Sequence, residues 1–261
     1  METPTAQRLL ELSDLNMAES FREFARRSRG EIREEGALLF VSGSHPFPRG
    51  VVTGAIRTFP GLAAAEVLER AEDFFAERDR RFWVLAAAHA DLDLEAAARG
   101  REYRLIVDLA GMVLDHRLDD GAALDTDLRW VEDEAGVRAF AGITGEAFGD
   151  PSLQAPTFTD LSSLSAPHIA TVVAYLDGEP VSARAVVVSH GVALVGFIGT
   201  KVAARGRGLG EAVTRAVTNR GFDLGARLAS LQASPEGDAI YRRLGYKEIT
   251  RYRLWLAPAP I

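Results

Sequence analysis

The chain contains no cysteine. Disulfides, a thiolate nucleophile and thiolate metal sites are therefore excluded, nothing points to an oxidising compartment, and a cytoplasmic setting is expected. It also lacks a long unbroken apolar run. The most apolar stretch, Val181 to Gly199, carries Arg184 and His190 and alternates small with branched residues as strands do, so no membrane span is expected. Positive charge is in deficit: 30 Lys and Arg face 37 Asp and Glu, a formal charge of −7, whereas a nucleic-acid surface would be basic. The opening METPTAQRLLELSDL has neither the basic start nor the apolar centre of a secretory signal. Histidine is sparse: His45, His89, His116 and His168 show no metal-ligand spacing, so no metal is expected, and His190, at a strand edge beside Gly191, reads as a turn residue ahead of a base.

What is present is the composition of an ordinary globular protein, 47% apolar and 26% charged, over 261 residues, a length comfortable for two domains. Asn16-Met-Ala-Glu19 has the spacing of a capping box and predicts a helix to about Arg29. Ala37 to Val41 and Val51 to Phe59 read as strands around the turn-rich SGSHPFPRG, and Pro60 opens a helix with the apolar stripe Leu62, Ala65, Leu68, Ala71 and Phe75. A strand from Phe82 to Ala87, a short helix from Asp91 to Arg99 and a strand pair or long ribbon from Tyr103 to Leu118 follow. Leu128 to Val131 reads as a strand and the next stretch, through Phe148, as a helix. Ile169 to Leu176 and Val181 to Val188 pair across Asp177-Gly-Glu-Pro, and Val192 to Val202 is the next strand. Gly196 inside it marks a bulge or a close backbone approach. Leu209 to Arg220 is helical, Leu228 to Gln232 a strand, and Ser234-Pro235-Glu236 starts a last helix.

Phe82 to Gly100 and Leu228 to Gly245 each run strand, short helix and terminating glycine over nearly equal intervals. An internal repeat of this kind predicts an α/β protein of two lobes with one topology. The acidic stretch Leu118 to Asp127 supplies the boundary, giving lobes 1–122 and 123–261.

The most informative stretch runs from Phe197 to Tyr246. An apolar strand ends in Gly-Thr-Lys-Val, a turn rich in glycine and arginine then opens a helix, and a second short helix closes on Tyr241-Arg-Arg-Leu-Gly-Tyr246. A turn whose glycines expose backbone N–H groups at a helix start, flanked by Lys201, Arg205 and Arg207, suits an anion such as phosphate. The glycine interval is not that of a dinucleotide-binding fold, and Gly199-Thr-Lys lacks the order of a nucleotide-hydrolase loop.

Arg205-x-x-Gly208-x-Gly210, followed by the Tyr241 segment, resembles the acetyl-CoA motif of GCN5-related N-acetyltransferases (GNAT). The resemblance covers roughly Leu128 to Leu256. It implies two GNAT-like lobes, each a mixed, mostly antiparallel sheet flanked by helices, and transfer of an acetyl group from acetyl-CoA to an amine. In the first lobe Thr58 to Ala63 stands where the second has its turn, and Ala96 where the second has Tyr241. That lobe is expected to be degenerate and to wall off the acceptor.

By the same resemblance, the amides of Val202, Arg207, Gly208, Leu209 and Gly210 would hold the pyrophosphate, with the Arg205 or Arg207 side chains adding charge. Backbone groups of Phe197, Ile198 and Thr200 would meet the pantetheine and the acetyl carbonyl. Tyr241 is the candidate acid for the departing thiolate, or else a core aromatic. Ser234 contacts the cofactor or only caps its helix. His190 to Lys201 holds no Asp or Glu, where many relatives place a glutamate base, so Glu146, Asp150, Asp160, a water chain or a neutral acceptor would substitute. That gap leaves open a non-catalytic acyl-CoA sensor or scaffold. The acceptor is a small-molecule or peptide amine, and a homodimer is left open.

Overall fold

The computed structural model describes residues 5–43, 52–119, 121, 126–147 and 161–259. The chain divides into two compact units that are not contiguous in sequence. The first comprises 1–112, 232–238 and 248–261, and the second 113–231 and 239–247. Most of the loop expected at 42–50, with His45, and the carboxylates Asp150 and Asp160 lie outside the described residues.

The first unit starts with helix α1 (Ala6–Arg27), capped by Thr5, whose hydroxyl accepts the Arg8 N–H at 3.2 Å. Asn16 is therefore mid-helix and buried, not a cap, because Met17 and Phe21 sit on a stripe that Ser13 already shares. Strands β1 (Glu31–Glu35), β2 (Leu38–Ser42) and β3 (Thr53–Arg57) follow. β1 escapes sequence patterning because EIREE is polar and mostly exposed. Helix α2 (Ala64–Ala76) begins four residues after Pro60, with Ala63 as its cap. β4 (Trp83–Ala87), α3 (Leu92–Gly100) and a single long β5 (Arg104–Leu114) complete the unit's first segment. The chain's last strand, β11 (Lys247–Leu256), lies between β4 and β5, giving the order β1-β2-β3-β4-β11-β5. Alternation along β2 divides the core: Leu38 and Phe40 pack with Val67, Phe74, Phe75 and Leu94 under α2 and α3, and Leu39 and Val41 pack with Met17, Phe21 and Ala25 of α1.

The second unit holds β6 (Asp127–Trp130), α4 (Glu134–Ala147), β7 (Ile169–Leu176), β8 (Glu179–Ser189), β9 (Val192–Thr200), α5 (Leu209–Asp223) and all but the last two residues of β10 (Leu228–Ala233). Helix α6 (Pro235–Arg243) follows, capped by Ser234, whose hydroxyl accepts the Gly237 N–H at 3.3 Å. The sheet order is β10-β9-β8-β7-β6, antiparallel except for the parallel pair β9 and β10. Two-residue turns join β7 to β8 through Asp177 and Gly178 and β8 to β9 through His190 and Gly191, all four with positive φ, the twist that a tight hairpin requires. His190 is thus a turn residue. Parallel β3 and β4 joined by α2 in the first unit, and β9 and β10 joined by α5 in the second, are the same strand–helix–strand unit, each continued by a short helix. This is the repeated topology expected from sequence.

Candidate functional site

The chemistry-bearing residues of the second unit gather where β9 parts from its neighbours. Parallel pairing of β9 with β10 runs from Val192 opposite Leu228 only to Leu194 opposite Ser230, so Val195 to Thr200 continues without a β10 partner. On its other side β9 pairs with β8, but Ala183 faces Gly199 while Ala185 faces Gly196. Two residues, Phe197 and Ile198, therefore stand opposite Arg184. The extra residue is a bulge, and Phe197 takes φ 50°, rare for a bulky side chain. The bulge expected at Gly196 is present, centred one residue later.

Past the strand, Lys201 leads into a short 3-10 turn, Val202–Ala204, and then into the loop that starts α5. Gly206 and Gly208 both have φ 76°, a left-handed backbone that glycine adopts without penalty. Gly208 is the N-cap of α5 and supplies no side-chain hydrogen bond, so the first-turn amides at Leu209 and Gly210 meet no cap from their own helix. Arg205, Arg207 and Gly208 are exposed, and Leu209 is buried. Arg205 Nε donates to the Thr200 carbonyl at 3.3 Å. The Val202 N–H, expected to face phosphate, donates to Glu146 Oε1 at 3.1 Å. Glu146 reaches it because α4 ends against Gly199: a Cβ there would lie 3.0 Å from Ile143 and 3.2 Å from Ala147.

Tyr241 and Ser234 are held by α6. Tyr241 is 5% exposed, with its ring 6.2 Å from that of Tyr246. The Tyr246 hydroxyl is fully enclosed and lies 2.7 Å from Thr218 Oγ1; burial pushes its pKa up to about 12. Beneath Tyr241 lies a residue that sequence reasoning used only to exclude a membrane span. Arg184 is completely buried, its guanidinium 5.1 Å from the Tyr241 ring centre. It donates to Thr214 Oγ1 and, at 3.0 Å, to the Val195 carbonyl. The signal in the sequence was its phase, since in Ser182-Ala-Arg184-Ala-Val186 the arginine shares a strand face with two buried neighbours.

The structure thus brings Phe197, Ile198, Thr200, Val202, Arg205, Arg207, Gly208, Leu209 and Gly210 into one continuous strand–turn–helix, with Tyr241 linked to it through Arg184. Ser234 is at the head of α6, where its hydroxyl is used as a cap. Among the described residues, no group of three or more histidine or carboxylate side chains is placed to hold a metal ion, and no helix is long and apolar enough to cross a membrane.

No family model matches the chain, and no curated protein does. Solved structures do. A GCN5-related N-acetyltransferase from Kribbella flavida superposes with a TM-score of 0.75 at 24% identity, over 94% of this chain and 95% of that one. A GCN5-related N-acetyltransferase from Sphaerobacter thermophilus gives 0.62 at 19% identity, over 80% and 73%. A tandem GNAT protein from the clavulanic acid biosynthesis pathway gives 0.58 at 16% identity, over 89% and 79%. These likenesses establish a two-lobed GNAT fold.

Proposed function

We propose that the second unit is an acyltransferase that moves an acetyl group from acetyl-CoA directly to an amine. The observation that carries this reading is the coincidence of three features: a β9 that leaves β10 after Leu194, a bulge at Phe197-Ile198 beside the opening, and a left-handed glycine turn at the start of α5. A strand edge that has parted from β10 offers backbone N–H and C=O groups to the amides of an extended pantetheine chain, as an added strand would. The amides from Arg207 to Gly210, at the positive end of α5, suit the pyrophosphate, and Arg205 and Arg207 add mobile charge.

In this arrangement a backbone N–H at the bulge is aimed at the thioester carbonyl and stabilises the oxyanion that forms when the amine attacks. Such a donor contributes roughly 3–4 kcal/mol to a transition state. Tyr241 donates its phenolic proton to the departing sulfur. The described strand Val192 to Thr200 contains no carboxylate, and Glu146 on the last turn of α4 is the carboxylate tied to this loop. The missing strand carboxylate favours a second reading, a module that binds acyl-CoA without turnover.

Thiol release from acetyl-CoA across an amine library, with the acetylated product read as a mass gain, separates the two. The acyltransferase reading expects turnover in the wild type and a drop of about 10²-fold or more in kcat in Tyr241→Phe. CoA binding with no thiol release for any amine favours the binding module.

A further inference from the structure

Arg184 is a charge enclosed in the apolar interior of the second unit. It is 0% exposed, and among the described residues its Nε has no acceptor and no carboxylate pairs with it. Burial draws its pKa below the usual value, against the opposing influence of Tyr241 and Tyr246, yet a guanidinium remains charged in a protein. Apolar residues of similar volume commonly replace even paired buried charges without loss. A buried cation short of both a counter-ion and a hydrogen bond therefore calls for a reason other than packing.

Its contacts supply one. The carbonyl that it holds belongs to Val195, the first residue of β9 beyond the last pair with β10. The hydroxyl that it holds, on Thr214, in turn donates to the Gly210 carbonyl at 2.5 Å, in the first turn of α5. The bulged residues Phe197 and Ile198 stand opposite it on β9, and the Tyr241 ring lies 5.1 Å from its guanidinium carbon. One side chain thus joins the strand at its opening, the helix that follows the glycine turn, and the phenol.

We propose that Arg184 is a positioning residue for acyl transfer, a fixed positive charge set beside Tyr241 to meet the negative charge that the phenol acquires when it gives up its proton. The inference rests on the acyltransferase reading. In the step concerned, the amine nitrogen bonds to the thioester carbonyl carbon and the C–S bond breaks with its electron pair on sulfur. Sulfur takes the Tyr241 proton, and the phenolate recovers a proton from the acceptor nitrogen through solvent. Arg184 exchanges no atom or electron. Because it acts only while the phenol carries charge, it bears on kcat and not on cofactor binding.

The test compares Arg184→Met and Arg184→Lys in the wild-type and Tyr241→Phe backgrounds. Thiol release gives kcat and KM, calorimetry gives CoA affinity, and a thermal melt reports folding. Arg184→Met is expected to fold, to bind CoA as the wild type does, and to lose about 10–100-fold in kcat. Arg184→Lys should recover most of that loss, and in the Tyr241→Phe background Arg184→Met should cost less than about twofold more, since residues acting as a unit are non-additive.

A wild-type kcat in Arg184→Met overturns the inference, as does an equal loss in both backgrounds, or a loss confined to KM and CoA affinity. Should Arg184→Met not fold, Arg184→Lys decides: a kcat deficit that disappears in Tyr241→Phe supports the inference, and any other pattern overturns it. Thiol release by the wild type is read first. Its absence defeats the acyltransferase reading and this inference together, whereas release with an indifferent Arg184 defeats the inference alone.

Discussion

Gly206 is the position at which the anion-binding role proposed for the turn is most cleanly separated from the packing of the fold. It is exposed, its φ is 76°, and a Cβ built on it meets nothing within 4 Å among the described residues. Substitution therefore introduces no clash, and its whole effect is the conformational cost of placing an L residue in the left-handed region, roughly 1–2 kcal/mol for alanine and more for a β-branched side chain. Where that cost appears depends on the stiffness of the loop. At Arg205 it is tied by a backbone bond to Val202 and a side-chain bond to Thr200, both 3.3 Å long.

A loop held so lightly relaxes out of the left-handed conformation in the free protein and must be driven back to bind. The cost then falls on the ligand. At about 1.4 kcal/mol per factor of ten, Gly206→Ala should weaken CoA binding by about 5–30-fold. Gly206→Asn, a side chain that tolerates this region, should lose less, and Gly206→Val more, with little change in melting temperature for any of them. Titration calorimetry with CoA and a thermal melt on each variant provide the readout. CoA affinity in Gly206→Val equal to that of the wild type would refute the reasoning, because the left-handed turn would then not be part of the binding conformation.

Two further predictions follow from packing and charge. Gly221 on α5 packs so closely on β9 that a Cβ would lie 2.4 Å from the Ala193 Cβ, so Gly221→Ala should destabilise the protein by about 1–3 kcal/mol, read as a lower melting temperature; an unchanged melt contradicts the closeness of that contact. In the first unit His89 bridges Asp14 at 2.9 Å and Thr250 at 2.8 Å. The Asp14 hydrogen bond raises the His89 pKa, against burial, with the charges of Asp14 and Asp91 acting in the same upward direction. The resulting stabilisation is fully present below the unfolded histidine value of about 6.5 and is lost as pH rises through the raised folded value. Wild-type melting temperature should therefore fall more between pH 6 and pH 8 than that of His89→Asn, and parallel curves would contradict the linkage.

The parts of the fold that could be read from sequence are those whose signal is local. Asp177-Gly178 and the alternating strands around it, Ser234-Pro235 at the head of α6, and the glycine turn before α5 all carry their structure in a few adjacent residues, and the structure places each as expected. The errors arose where local cues were ambiguous or outweighed. Asn16-Met-Ala-Glu19 has a cap's spacing, but the helix is already capped by Thr5 and its buried face, from Ser13 to Ala25, runs straight through Asn16, and burying that face outweighs a mid-helix capping signal. Pro60 is compatible with a helix start, yet Gly61 has φ 125° and the helix waits until Ala64.

Non-local facts were out of reach in principle. Nothing in KEITRYRLWL says that the last strand lies between β4 and β5, more than a hundred residues earlier in the chain. The same applies to the candidate site. The motif residues lie on one continuous segment and could be named from it, but the cluster of Arg184, Thr214 and Tyr241 depends on three separate elements meeting. An arginine in an apolar strand is visible in the sequence, whereas the lack of a carboxylate partner among the described residues is not.

The central claim is that a single acyl-CoA site lies in the second unit, at the opening of β9 and the start of α5. Amide hydrogen exchange, measured with and without saturating CoA, tests it directly. The account predicts slowed exchange from Phe197 to Gly210, with no change at the corresponding first-unit turn, Thr58 to Ala63. Slowing at Thr58 to Ala63, or none anywhere in Phe197 to Gly210, would contradict it.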